Sequence, residues 1–491
     1  MTRMDGAGPD TPYSSHRWRA LPVLLSATFM AVFDLFAVNV AVPSIQHDLH
    51  TTSGELELVV AGYSLAYAAF LVTGGRLGDL YGRRRLFMAG VAVFSVASLL
   101  CGLAPGAGLL IAARLLQGVG AAMMTPQVLA TINLGFPDLE RPRALGWFGL
   151  VFGGAVVAGQ VLGGALVQLD AAGWGWRTIF LVNVPVGLAA LAGALWLVPD
   201  TRTPRAERLD PVGLGLLVVG LVALLTPIVL GHSEGWPVWT WLSLGAAAVV
   251  LGLFVAYEHR LERRGGWPLL RVGHYRPTVV KVGLAVNLAF FGYLGSFMFV
   301  VTLFLQDGLH QSPLHAGLTF APFGVGFAVG ALVGRVLGTR GAPVLPAGSA
   351  ATAAGVAVVM VVVIVNGAAG TTAELAPALA VVGLGGGLVF PSLTGASLAG
   401  APPGASGAVA GALVTTQHLG SALGVALVGL LFFHVLAGAG PADALVAALA
   451  CEVVVMTAAA VLSTRLGPGS AGVPAPAPAP AVPEPRTAPP R

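Results

Sequence analysis

The sequence predicts an all-α polytopic membrane protein: fourteen membrane-crossing helices, arranged as two six-helix halves with two further helices inserted between them. Composition points there first. Of 491 residues, 56% are hydrophobic and only 9% are charged, whereas a soluble domain is roughly a quarter charged. Mean hydropathy is +0.85. So much apolar surface has lipid as its solvent. The second observation is spacing. Fourteen apolar runs recur along the chain, each near the ~20 residues that cross roughly 30 Å of hydrocarbon. The third is charge: arginines collect in alternate loops, as the positive-inside rule requires of cytoplasmic loops.

Taken in order, residues 1–19 are polar, with Pro9 and Pro12, and read as a disordered cytoplasmic N-terminus. Arg17 and Arg19 precede an uncharged run, as in a signal peptide. The run continues past Asp34 to Pro43, however, without a small-residue cleavage site. The first half, 20–198, holds runs 20–43, 56–75, 86–104, 108–132, 144–168 and 178–198. The segment 199–277 holds the inserted runs 211–231 and 238–257 with their cytoplasmic loops. The second half, 278–464, holds 278–303, 313–334, 344–365, 375–396, 407–434 and 443–464. Backbone groups cannot stay unpaired in lipid, so runs this long are helices. Residues 465–491 form a cytoplasmic tail that turns Pro-rich from Pro474, extended and solvated.

With the N-terminus inside, inner loops carry Arg76 and Arg83–Arg85; Arg141 and Arg143; Arg202, Arg205 and Arg208; Arg260, Arg263, Arg264, Arg271 and Arg276; and Arg335 and Arg340. Outer loops carry only Arg177, beside Asp48, Glu55, Asp170, Glu234, Asp307, Glu374 and Asp443. A miscounted span would scramble this division. Gly74–Arg85 after the second run and Gly330–Gly341 after the tenth share a Gly-and-Arg rhythm, which is the basis for two repeated halves. Gly, at 68 residues, is near double its average share of about 7% and predicts close helix crossings. Trp174–Trp176 and Trp236–Trp241 read as interface anchors. Cys101 and Cys451 sit inside apolar runs and suggest neither disulfide nor metal site. No cofactor is expected. The charge lies in no stripe that would hold nucleic acid. A P-loop needs lysine after glycine, and the sole lysine, Lys281, follows Val280, so this chain does not itself pump with ATP.

Four stretches carry a family resemblance over nearly the whole chain. They are Gly75, Asp79, Gly82 and Arg83–Arg85 between the second and third runs; Asp34, Asn39 and Pro43 in the first; Arg114, Gln117, Gly118 and Gly120 in the fourth; and Trp176, Arg177, Asn183, Pro185 and Gly187 in the sixth. Together they resemble the major facilitator superfamily, in its fourteen-span drug/proton antiporter branch. Three places depart from that pattern. In the signature loop Leu80 stands where a basic residue is usual. Gln160 stands where the fifth-span antiporter motif has proline, between Gly159 and the pair Gly163–Gly164. Gln417 and His418 occupy a stretch that often carries arginine.

Asp34 is the main chemical candidate. An acid inside an apolar helix costs on the order of 3 kcal/mol and marks a proton pathway, a fixed ion pair or a packing bond. Counted at 1.5 Å per residue, Arg114 reaches a similar depth. The resemblance links that arginine to proton transfer; a structural arginine bonded to carbonyls is the alternative. Glu452, deep in the last run, is a second protonatable candidate or a locally paired acid. Gly75, Asp79, Gly82, Arg83 and Arg84 form a gating loop by resemblance, or a topology signal only. Asn39, Tyr63, Gln117, Gln160 and Asn287 are polar points for a substrate cavity, or interhelical bonds.

The expected function is secondary export of hydrophobic or amphipathic small molecules in exchange for protons, as in drug or antibiotic efflux, by a non-enzymatic, multi-pass protein of a bacterial inner membrane. A proton-coupled importer or specific metabolite exporter on the same fold is the alternative, and a non-transporting sensor or assembly factor the third. The resemblance implies a monomer.

Overall fold

The computed structural model describes residues 17–137, 140–170, 173–198, 210–231, 235–269, 277–367, 372–402 and 406–466. Among them, fourteen helical segments are long and apolar enough to cross a bilayer, and no strand occurs. The expected tails, together with Arg202, Arg205, Arg208, Glu234, Arg271 and Arg276, lie outside the described residues or at their margins.

The first half contains α1 (Arg17–Leu49), α2 (Ser53–Tyr81), α3 (Arg83–Gly102), α4 (Ala107–Gly135), α5 (Arg141–Leu169), α6 (Thr178–Leu181) and α7 (Asn183–Leu197). The inserted pair is α8 (Pro211–Leu230) and α9 (Val238–Arg263). The second half contains α10 (Thr278–Leu303), α11 (Pro313–Thr319), α12 (Ala321–Thr339), α13 (Val344–Asn366), α14 (Thr372–Ala399), α15 (Ser406–Ala439) and α16 (Pro441–Ser463). Alternate segments run in opposite directions, so the first and last helices begin and end on the side of Arg83–Arg85, here called the basic end.

Several boundaries differ from expectation, each for a local reason. α1 runs on past Pro43, which sits inside the helix with Pro22; neighbouring helices let membrane helices tolerate proline. The stretch Gly74–Arg85 between the second and third runs is nearly all helix. One residue, Gly82, separates α2 from α3, with φ +102° and its N–H on the Gly78 carbonyl, a conformation that glycine adopts without strain. Gly78 is helical, and a β-carbon there would strike the Gln127 amide. The sixth span starts early, as a 3₁₀ turn at Gly175–Arg177, and breaks between α6 and α7. The tenth breaks at Phe320, between α11 and α12.

The apolar faces left exposed include Leu103, Leu150, Trp196, Leu332, Val365 and Val454, the surface a bilayer covers. Trp174, Trp239 and Trp241 are among the exposed aromatics, as anchors would be. Trp176 is not one: it is 3% exposed and donates its indole N–H to Asp48 at 2.9 Å. Asp48 also holds Arg177 at 2.5 Å, so the one outer-loop arginine is pinned to the end of α1.

At the basic end, Arg17 and Glu140 pair at 2.7 Å, Trp18 donates to the same carboxylate at 2.9 Å, and Arg143 lies 5.1 Å over the Trp18 ring. This ties the start of α1 to the start of α5. The hydrogen bond from Arg17, helped by Trp18, holds the Glu140 carboxyl below its ordinary range. A depressed acid keeps its tie above its unfolded pKa and loses it as pH falls through the folded value. Acidification below the usual glutamate range is therefore expected to change Trp18 fluorescence in the wild type, and Glu140→Gln to remove that change.

Candidate functional site

Asp34 sits halfway along α1 and is 1% exposed. Two other helices supply its three partners. From α4, Arg114, 0% exposed, donates through its Nη1 to Asp34 Oδ2. Gln117, one turn further on the same face of α4, donates its Nε2 to Asp34 Oδ1 at 2.7 Å. Asn183, the first residue of α7 after the break in the sixth span, donates its Nδ2 to the same oxygen at 3.1 Å.

The arginine is held in turn. Its Nε donates to the Val59 carbonyl of α2 at 2.9 Å and its Nη1 to Gln117 Oε1 at 2.7 Å. Its guanidinium carbon lies 4.7 Å over the Tyr63 ring, a cation–π arrangement. Gln117 also donates to Ser98 of α3 at 2.9 Å, and the Tyr63 hydroxyl donates to the Ala31 carbonyl at 3.0 Å. Every donor to the Asp34 carboxylate is an N–H, and a carboxylate that only accepts is ionised. This donor set suits the proton-free form. Protonation gives one oxygen a hydrogen of its own and must loosen Arg114.

The cluster lies beside the junction of the two halves. One seam is α2 against α15, where Tyr67 stacks on His418 at 3.6 Å. The other is α5 against α11, where a β-carbon on Gly164 would lie 2.3 Å from the Pro313 carbonyl oxygen. The halves also meet where Gln306 Nε2 donates to the Val40 carbonyl at 2.8 Å and Leu314 N to Gln168 Oε1 at 3.3 Å. At mid-depth, Phe152 stacks on Phe390 at 4.7 Å. These contacts run from the middle to the end opposite the basic loops, so the halves are joined at that far end.

The profile of the Major Facilitator Superfamily matches residues 24–425. The chain belongs to that superfamily. It is 42% identical over 440 residues to a probable actinorhodin transporter of Streptomyces coelicolor, covering 88% of this chain and 76% of that one. It is 38% identical over 427 residues to the puromycin resistance protein pur8 of Streptomyces alboniger, covering 86% and 82%. Among solved structures it resembles a bacterial homologue of the human lysosomal transporter Spinster, in an inward-facing and occupied conformation, with TM-score 0.65 and 15% identity over 94% of this chain and 99% of that one; that likeness concerns fold alone.

Within this major facilitator fold, the second half repeats the acid of the first with its position exchanged. Asp34 and Asn183 join the first and last spans of their half. Ser296 and Glu452 join the first and last spans of theirs, Ser296 Oγ donating to Glu452 Oε1 at 2.7 Å. Glu452 is 1% exposed, and its Oε2, like the nearby Tyr293 hydroxyl, has no hydrogen-bond partner. Among the described residues no cation pairs with it.

The remaining candidates divide. Tyr63 and Gln117, read as cavity residues or interhelical bonds, belong to the Asp34 cluster. Asn287 is an interhelical tie: its Nδ2 reaches the Leu413 carbonyl and Thr416 Oγ1 of α15, both at 2.7 Å. Asn39 is 3% exposed with its Oδ1 unpartnered. In the loop between the second and third spans, Asp79 pairs with Arg83 at 2.6 Å, Arg83 reaches the Ala130 carbonyl at 3.4 Å, and Arg76 bonds the Pro268 carbonyl beyond α9. Gly75 faces Pro126, and Arg84 is half-buried. These bonds bind α2 to α3, α4 and the segment after α9.

On α5, Gly159 and Gly163 press against α1 at Phe36 and Ala37, and Gly164 against α11. The small-residue face of the antiporter motif therefore contacts both halves. Gln160, in the proline's place, is 1% exposed, and neither amide atom has a partner. An orphaned buried amide costs about 1–3 kcal/mol. Gln160→Leu is expected to raise the thermal midpoint of the purified protein.

Sequence reasoning quoted Asn183 without giving it a role and passed over Ser98. Both are polar residues inside apolar runs, and that was the available signal. Their meeting with Asp34 depends on how α3 and α7 pack against α1 and α4.

Proposed function

We propose that this protein exports hydrophobic or amphipathic small molecules in exchange for protons, by alternating access, with the basic end in the cytoplasm. The observation that carries the reading is the ionised Asp34 clamped by Arg114 in the interior, beside the junction of two halves that are closed at the far end. In an alternating-access cycle this is the state that has released its proton inward and is free to take cargo. Rocking the halves then exposes the cluster to the outer side. A proton on Asp34 weakens its hold on Arg114, and the freed arginine and neutral acid favour cargo release and return.

An inward proton supplies about 2.3 kcal/mol per 100 mV of membrane potential. The remaking of helix-end and charge-pair contacts at Asp79, Arg83 and Arg84 gates the basic end, and Glu452 is a second protonatable group in the other half. Small-molecule cargo, protons and a bacterial plasma membrane are the partners implied, and the protein works as a monomer. The similarity to a probable actinorhodin transporter and to a puromycin resistance protein supports the cargo class.

The test uses everted vesicles acidified by respiration. Actinorhodin, puromycin and a broad compound panel are added in turn. At least one is expected to dissipate the proton gradient in vesicles carrying this protein but not in vesicles without it. No response from any compound overturns antiport, and accumulation of a compound by whole cells points to import instead.

A further inference from the structure

The inserted helix α8 covers the α2–α15 seam, with Leu221 and Ile228 buried against Ala61, Leu65, Ala422 and Ala426. One turn inside the far end of this seam, roughly 6 Å along α2 from its start at Ser53, lies Glu57. It is 4% exposed. Its carboxylate faces across the seam onto Gly429 of α15: a β-carbon built there would stand 3.2 Å from Glu57 Oε1 and 3.4 Å from Phe299 Cε1 of α10. Glu57 Oε2 has no hydrogen-bond partner.

The surroundings offer no counter-charge. The stretches 216–230 of α8, 292–303 of α10 and 419–433 of α15 contain no Asp, Glu, Lys or Arg; Tyr293 is the one titratable group in them. Arg114 reaches α2 at Val59 but is held by Asp34. On α1, Asp48 is engaged by Arg177 and Trp176, and His47 lies in the last turn. On α2 itself, Glu55 closes a capping box with Thr52. On α15, His418 is three turns from Gly429 and stacked on Tyr67, and His434 is exposed. Isolated carboxylates are not left ionised in such places, because the desolvation cost far exceeds that of holding a proton.

We propose that Glu57 is a further proton-binding site, at the outer gate: its carboxylate takes one proton from outer water while the α2–α15 seam is parted, and the seam closes only over the neutral acid. This rests on the alternating-access reading above. The site is separate from Asp34, which is satisfied by N–H donors and is proton-free in the same closed arrangement. The far-end-closed state therefore carries a proton on Glu57 and none on Asp34. Because closure binds one proton more at this position than opening does, acidification raises the closed-to-open ratio by up to about tenfold per pH unit.

The test is a distance measurement across the outer seam. Spin labels are placed at Ser53→Cys and Gly438→Cys, Cys451 is replaced by serine, and the fully buried Cys101 is left. The full-length protein in lipid nanodiscs is measured from about pH 5.5 to 8.5. The proposal expects the short distance to give way to a longer one as pH rises, Glu57→Gln to stay short at every pH, and Glu57→Asp to keep the wild-type trend. A Glu57→Gln protein that keeps the wild-type trend overturns the site. So does a trend of opposite sign, which is what charging the His418 imidazole in the seam gives. If no sample changes distance at any pH, the alternating-access reading falls with it. If the trend persists in Glu57→Gln but vanishes in Asp34→Asn, that reading stands and Glu57 alone is rejected.

Discussion

Asp34→Asn is expected to abolish substrate-driven dissipation of the proton gradient, down to the level of empty vesicles, while the protein still inserts and folds. Asparagine keeps the shape and one acceptor oxygen for Arg114, so the packing of α1 against α4 and α7 is preserved. What it loses is the ability to cycle between charged and neutral forms, which is the whole of the coupling. Asp34→Glu keeps titration but pushes one methylene into a site that is 1% exposed. Overpacking of that kind costs typically 1–3 kcal/mol, and exchange is expected to be reduced rather than lost. Retained coupling in Asp34→Asn moves the exchange site elsewhere, to Glu452 first.

Arg114→Met is expected to be the most destabilising single change in the chain. It strips the cation from a carboxylate with no other counter-charge in contact, and breaking a buried pair from one side costs about 3–5 kcal/mol. It also removes the donor to the Val59 carbonyl and the charge over Tyr63. Arg114→Lys is no conservative replacement, because an ammonium cannot span Val59, Gln117 and Asp34 with one planar fork. The double variant Asp34→Asn, Arg114→Met is expected to recover much of the lost thermal stability without recovering exchange. Two groups in one network are non-additive in this way. Additive losses in the double variant would mean that the pair is not the interaction that matters.

Much of this was legible in the residues. Fourteen apolar runs and the one-sided arginines yield the span count, because lipid allows few alternatives to helices. Asp34 and Arg114 stood out as charges in oil, and depth counting placed them near one another. Their bond needed the packed structure, since matching depth leaves the facing of two helices open. The breaks at Val182 and Phe320 are each followed by a proline, Pro185 and Pro322, whose missing N–H and ring interrupt the helix about one turn earlier; that signal was passed over, and the first break sets the position of Asn183. Glu57 was overlooked for another reason. It lies at the edge of a predicted run, where a carboxylate reads as a water-facing residue, and only the contact of α2 with Gly429 shows it enclosed. For Asn287 the sequence left a cavity position and an interhelical bond open, and its side chain spans to α15.

The account stands on Asp34 exchanging its proton as cargo binds. The direct measurement is proton release by the purified protein in lightly buffered solution, followed with a pH indicator, on adding a compound that dissipates the gradient in vesicles. Release of about one proton per chain by the wild type, and none by Asp34→Asn although it still binds the compound, is the expected result. Equal release from both proteins would contradict it.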